Sequence, residues 1–92
     1  MIVSFKDDEG RKLFETGQSR RYANIAAVAA RKLDQIEAAK ALEDLRSPPG
    51  NRLEALKGER KGQHSIRIND QFRVCFEWNA DGAHEVEIAD YH

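Results

Sequence analysis

The 92-residue chain is poor in several residue types, with one Cys, two Pro, one Trp and six Gly. A lone Cys75 cannot form an intramolecular disulfide and removes any cysteine-based zinc cluster. The three histidines, His64, His84 and His92, show no metal-ligand spacing. The chain is therefore expected to need no metal and no other cofactor. No apolar run approaches membrane-spanning length, which points to no membrane. Ile2-Val3-Ser4-Phe5 is too short for a signal peptide and runs at once into Lys6-Asp7-Asp8-Glu9. The expected compartment is the cytoplasm. No glycine pattern matches a phosphate-binding P-loop or a dinucleotide fingerprint. There are no internal repeats and no low-complexity segment.

What is present fits one folded domain over residues 1–92. The composition is 40% hydrophobic and 34% charged, too apolar for a disordered chain. At this size roughly 60–70% of the unfolded surface is buried, enough for a single core.

The net charge of −1 conceals an uneven distribution. Met1 to Leu45 carries eight basic and eight acidic residues. Arg46 to Arg73 carries seven basic residues against three acidic ones, a balance of +4. Val74 to His92 has five acids and no Lys or Arg. A basic middle and an acidic end suggest a face for an anionic partner; the alternative is that the two halves pair with each other.

The chain is organised around Gln63 to Phe76, which alternates apolar and polar residues on both sides of a turn signal, the pattern of a half-buried β-hairpin. A two-residue loop at Asn69-Asp70 would mix the faces. A three-residue loop from Asn69 to Gln71 pairs Ile68 with Phe72, Ile66 with Val74 and His64 with Phe76, placing one apolar face on a core. Such loops usually want Gly at the left-handed position, a place Asn or Asp takes less well. The same register sets Arg67 opposite Arg73 on the other face. Facing like charges cost about 0.2–1 kcal/mol. Two guanidiniums there suggest an anion between them, and phosphate suits their planar forks. The alternative is two solvated arginines, each pairing with an acid such as Asp70 or Glu77.

Earlier in the chain, Ile2 to Phe5 reads as a short strand. Asp7-Asp8-Glu9 stand where the first turn of a helix favours acids, and that helix should end near Gly17. A second helix follows, with Asn24 as a candidate N-cap and Ile25, Ala29, Leu33 and Ile36 on one face. The stripe then shifts to Ala38, Leu42 and Leu45, which predicts a break near Glu37 to Ala39; an unbroken helix to Leu45 is the alternative. Pro48-Pro49-Gly50 stops any helix by Ser47. Arg52 to Leu56 is a short strand or a loop pinned by leucines. Lys57 to Gly62 is a basic, glycine-bracketed loop that leads into the hairpin.

After the hairpin, Phe72, Val74, Phe76 and Trp78 line one face. Asn79 to Ala83 is read as a five-residue turn and His84 to Asp90 as a further strand. That loop pairs Trp78 with His84, Phe76 with Val86, Val74 with Ile88 and Arg73 with Ala89. It brings Asp90-Tyr91-His92 to the arginine end of the sheet. The expected fold class is α+β, with N-terminal helices packed on a small antiparallel sheet.

Paired arginines, a basic loop and a terminal Asp, Tyr and His are what metal-free RNA cleavage requires. Histidine moves protons near neutral pH, arginine stabilises charge on phosphate, and tyrosine stacks on a base. Each has a plainer reading. His92 is a terminal residue and Tyr91 an edge aromatic. His64 reads as a packed core histidine, His84 as a loop-edge residue and Cys75 as a small, partly covered sheet residue.

Several segments together resemble a known family. They are Met1-Ile2-Val3-Ser4-Phe5, Leu53-Glu54-Ala55-Leu56-Lys57-Gly58, Ser65-Ile66-Arg67-Ile68-Asn69-Asp70-Gln71-Phe72-Arg73-Val74-Cys75-Phe76 and Asp90-Tyr91-His92. The chain resembles the HigB-type toxins of the RelE/ParE superfamily over essentially its whole extent. The resemblance implies the toxin of a bacterial type II toxin–antitoxin pair, an mRNA endonuclease acting in the A site of the ribosomal 30S subunit. It implies a helix-turn-helix, HigA-like antitoxin as partner. By resemblance, Arg73 stabilises the scissile phosphate, and His92 transfers protons with help from Asp90. Lys57 neutralises phosphate, while Arg67, Tyr91, Arg60 and Lys61 hold RNA. Several relatives have His-Pro where this chain has Glu54-Ala55, so a proton-transfer role there passes to Glu54, passes to His92 or is lost. Glu54 could also be a surface acid pairing with Arg52 or Lys57. A non-catalytic alternative exists within the superfamily, because ParE-type relatives poison DNA gyrase by binding it.

Overall fold

The hairpin at the centre of the chain has the register that its alternation dictates. In the computed structural model, which describes residues 1–90, β2 (Gln63–Arg67) pairs antiparallel with β3 (Phe72–Asn79). His64 faces Phe76, Ile66 faces Val74 and Arg67 faces Arg73. The Ile68 amide donates to the Phe72 carbonyl at 2.9 Å, closing the loop from Asn69 to Gln71. None of these loop residues is left-handed. The Asn69 side chain does that work instead, accepting from the amides of Gln71 and Phe72, both at 2.8 Å. An asparagine that caps its own turn removes the need for a strained residue.

On one side of this hairpin lies the edge strand β1 (Glu54–Ala55), and on the other β4 (Gly82–Asp90), giving a sheet in chain order. Here the structure corrects the expected turn. Asn79 pairs with Gly82 and Trp78 with Ala83, so the loop has only Ala80 and Asp81 between the strands. Read alone, that register would carry the wrong residues inward. A bulge between Cys75 and Glu77 restores the expected pairs Val74–Ile88 and Arg73–Ala89. Glu85 sits in the bulge at φ 53. The extra residue lets both Ala83 and Val86 reach the core, each with no exposed surface. His84 thus faces Glu77 rather than Trp78, and its Nε2 lies 2.6 Å from Asp81 Oδ1. That contact holds the Asp81 carboxyl below its ordinary range.

Ile2 to Phe5 is extended but forms only two isolated parallel bridges to β4, Ile2 with Ala83 and Phe5 with Val86. The first lies beside the turn and the second just past the bulge.

The helices cover the sheet face that carries Ile66, Val74, Phe76, Val86 and Ile88. Helix α1 (Asp8–Thr16) begins at Asp7, whose carboxylate accepts from the Gly10 amide at 3.0 Å, and ends at left-handed Gly17. It buries Leu13. Helix α2 (Ala26–Ala38) buries Ala29, Leu33 and Ile36. Asn24 is not its cap: a 3-10 turn at Ala23–Ile25 precedes the helix, and no side chain caps it. The break falls where the stripe shifts, with Ala39 extended at ψ 132. Asp44 secures it by accepting from the amides of Lys40 and Ala41 at 2.9 and 3.0 Å, which holds its carboxyl below the ordinary range. Ala38 is exposed and Ala39 takes its place in the core. Leu45 follows in a second 3-10 turn, Leu42–Arg46, and is buried. No described helix is long and apolar enough to cross a membrane.

Candidate functional site

The sheet face turned away from the helices carries the chemistry. Strand alternation places Glu54, Ser65, Arg67, Arg73, Cys75, Glu87 and Ala89 there. Leu56 packs with Cys75 and Ala89 in a small apolar cluster, so Cys75 is fully buried rather than partly covered. His64, on the opposite face, stacks near Phe76 with ring centroids 6.2 Å apart, as a packed histidine should.

Arg73 is the most constrained cation on the open face. Its Nε donates to Ser65 Oγ at 2.6 Å and its Nη2 to the Arg52 carbonyl at 2.7 Å. Glu54 Oε1 stands 3.7 Å from the same Nε. Glu54 is thus an acid facing Arg73 and not a partner of Arg52 or Lys57. Arg67 sits opposite in register, but its guanidinium pairs with Asp70 in the turn. The repulsion expected between the facing arginines is relieved by separate acceptors for each: Arg67 finds the acid Asp70, as the solvated reading had it, whereas the Arg73 side chain is only 12% exposed and is not a solvated arginine.

The basic loop reaches the same face through Arg60, which donates to Gln63 Oε1 at 3.1 Å and to Glu87 Oε2 at 3.0 Å. Lys6 shares Glu87 at 3.3 Å. Lys57 and Lys61 are exposed, and neither pairs with a described residue. Strand β4 delivers Asp90 beside Phe72, next to Arg73, and Asp90 Oδ2 accepts from Gln71 Nε2 at 3.1 Å. Tyr91 and His92 lie outside the described residues. Among the described residues, no three His, Cys, Asp or Glu side chains gather as metal ligands.

Two contributors escape a reading by alternation alone. Ser65 is diagonal to Arg73 across the β2–β3 pair; alternation puts it on the outer face, but its full burial there, which obliges its hydroxyl to find a partner, has no signal in the sequence. Asn51, after Pro48-Pro49-Gly50, is also fully buried. Its Oδ1 accepts from Lys32 Nζ at 2.6 Å. Partial burial, with the cations of Arg31 and Arg67 nearby, pushes the Lys32 ammonium pKa down. In the main core, where Tyr22 packs edge-on against Phe72, burial raises the Tyr22 hydroxyl pKa; nearby Arg21 opposes this, while Asp7, Glu9 and Glu87 add to it.

Comparison with known proteins agrees with this architecture. The family described as HigB-like toxin, the RelE-like toxin of the type II toxin–antitoxin system HigB, matches residues 3–92. Toxin HigB-1 of Vibrio cholerae serotype O1 is 42% identical over 80 residues, covering 85% of this chain and 84% of the relative. An uncharacterized protein of Haemophilus influenzae is 40% identical over 76 residues, covering 80% of this chain and 75% of its own.

Proposed function

The chain belongs to the HigB-like, RelE-related toxins of type II toxin–antitoxin systems, and from that premise we propose that it is a ribosome-dependent endonuclease that cuts mRNA without a metal. Membership of the family implies an antitoxin partner; we propose a helix-turn-helix, HigA-like protein. The proposed place of action is the 30S A site, in the cytoplasm.

The observation that carries the reading is the anchored Arg73 guanidinium beside the end of β4. In this mechanism the ribose 2′-oxygen attacks the adjacent phosphorus and the bond to the 5′-oxygen breaks. The 2′-hydroxyl proton leaves as the 5′-oxygen gains one. Arg73 meets the charge that builds on the non-bridging oxygens, where a fixed donor is worth most. An entering phosphate takes the place that Glu54 holds beside Nε in the resting molecule. Lys57 adds positive charge at the phosphate. His92, oriented by Asp90, moves protons, and Glu54 supplies a second carboxylate within reach of the reacting group. Arg67, Arg60 and Lys61 hold the RNA backbone, and Tyr91 stacks on a base.

The test is to map the 5′ ends of cellular mRNA after brief expression of wild type and Arg73→Ala. New ends within translated regions are expected for wild type and not for the variant. Cleavage that persisted in a folded Arg73→Ala would overturn the assignment. A DNA-damage response without new mRNA ends would favour a gyrase-binding inhibitor.

A further inference from the structure

We propose that Asn51 and the backbone of Arg52 are positioning elements for Arg73, joining helix α2 to the guanidinium that meets the phosphate. The inference rests on the endonuclease reading of Arg73 and identifies what aims that group.

The path starts on the half-buried flank of α2 that carries Lys32 and Gln35. Asn51 is fully buried and every polar atom of its side chain is engaged. Its Nδ2 donates to Gln35 Oε1 at 2.9 Å, to the Leu45 carbonyl at 3.1 Å and to the Ser47 carbonyl at 3.4 Å. Its Oδ1 accepts from Lys32 Nζ at 2.6 Å. A carboxamide puts two N–H donors, shared here among the three acceptors, and an acceptor for an ammonium in one planar group. An aspartate would set its own charge against the three acceptors, and a leucine would leave them all unpaired.

With Asn51 locked, the next residue has little choice. Arg52 is left-handed at φ 46 and ψ 55, and its amide donates to the Pro49 carbonyl at 3.1 Å. A non-glycine residue is found there only when its surroundings demand it. The consequence is the direction of the Arg52 carbonyl, which accepts from Arg73 Nη2 at 2.7 Å. Ser65 Oγ holds Nε of the same group at 2.6 Å. Two anchors on different nitrogens of a rigid planar cation fix its position and its tilt. The Arg52 side chain itself is exposed, so the contribution to Arg73 comes through its main chain.

The test uses the whole chain on ribosomes programmed with mRNA, in single-turnover cleavage, with NMR of the Arg73 Nε–H signal assigned by its loss in Arg73→Lys. Arg52→Gly keeps the left-handed backbone without strain, whereas Arg52→Val, β-branched at a surface site, opposes it. Asn51→Ala cuts the path at its root. For Arg52→Val and Asn51→Ala the cleavage rate is expected to fall roughly 10- to 100-fold, with half-saturation nearly unchanged. Exchange of the Arg73 Nε–H with water should quicken in parallel. Arg52→Gly should keep both the rate and the slow exchange. Should Asn51→Ala fail to fold, Arg52→Val still decides. A folded Arg52→Val with unchanged rate and exchange overturns the proposal, as does faster exchange at an unchanged rate. If wild type cuts no mRNA yet the variants still loosen the Nε–H, the endonuclease reading fails while the anchoring stands.

Discussion

The two faces of the sheet are held by different physics. The inner face is filled by Ile66, Val74, Phe76, Val86 and Ile88 against α1 and α2, and what matters there is apolar volume. The outer face has only a small apolar cluster of Leu56, Cys75 and Ala89. Around it, Arg73, Arg67, Arg60 and Lys6 each meet a particular oxygen. Burial is non-directional and tolerates substitution by shape. A guanidinium held by a serine and a carbonyl tolerates almost none. The difference separates the face that makes the molecule fold from the face on which the proposed chemistry stands.

Mutations on the two faces should therefore fail in different ways. Phe76 is fully buried at the centre of the inner face, with Trp78 edge-on at 6.3 Å and His64 at 6.2 Å. Phe76→Ala should cost about 3–5 kcal/mol, most of the stability of a domain this small, as read by urea unfolding. Arg73→Ala should do the reverse. Its stability loss should be smaller, about 1–3 kcal/mol, since Ser65 Oγ and the Arg52 carbonyl each lose a donor. Cleavage on programmed ribosomes should fall by about 10²–10³-fold, the scale of losing one fixed donor to a developing oxyanion. If Arg73→Ala unfolds the chain, or Phe76→Ala leaves it intact, the division between the faces is wrong.

How far each face is legible in the sequence follows from the same contrast. The inner face is written in period-two alternation, so the register of β2 with β3 and the facing of Arg67 and Arg73 can be read directly. Two stripes at helical spacing likewise locate the end of α2. The β3–β4 turn could not be read that way. A tighter loop and a bulge at Glu85 cancel each other, so the far pairs Val74–Ile88 and Arg73–Ala89 agree while the near ones do not. Alternation is blind to compensating shifts. The outer face is legible only as an inventory. Lys57, Arg60, Lys61, Arg67, Arg73 and Asp90 are visible as charged residues, and the strand register brings Arg67, Arg73 and Asp90 to one region. Among the described residues, Arg73 is held by a carbonyl at Arg52 and a hydroxyl at Ser65, and backbone direction in the irregular segment before β1 leaves no periodic trace.

The end of the sheet far from Arg73 offers a smaller test, because there the backbone itself is the constraint. Gly82 lies at φ 128, and a Cβ on it would stand 2.2 Å from the Met1 carbonyl oxygen. Gly17, at φ 73, has nothing within 4 Å of the same position. Gly17→Ala should cost about 1 kcal/mol, for conformation alone. Gly82→Ala should cost more, about 2–3 kcal/mol, because the first extended segment must also move off β4. Thermal unfolding of the two variants separates strain from collision. If both are equally mild, the parallel contact of Met1 and Val3 with Ala83 is dispensable to the fold.

The smallest expected effect lies in the helical layer. The Asp44 carboxylate accepts from the Lys40 and Ala41 amides, and these bonds hold its pKa below the ordinary value. A group depressed on folding contributes stability above its unfolded pKa, about 4, and loses it as pH falls through the lower folded value. Asp44→Asn removes the charge and keeps one acceptor. Wild type should therefore be slightly the more stable at pH 6, with the gap closing as pH falls through the depressed folded value. Because Asp44 is exposed, added salt should narrow the gap at pH 6. A gap that persisted at low pH would mean that the break after α2 depends on the shape of the side chain there, and that its charge contributes nothing.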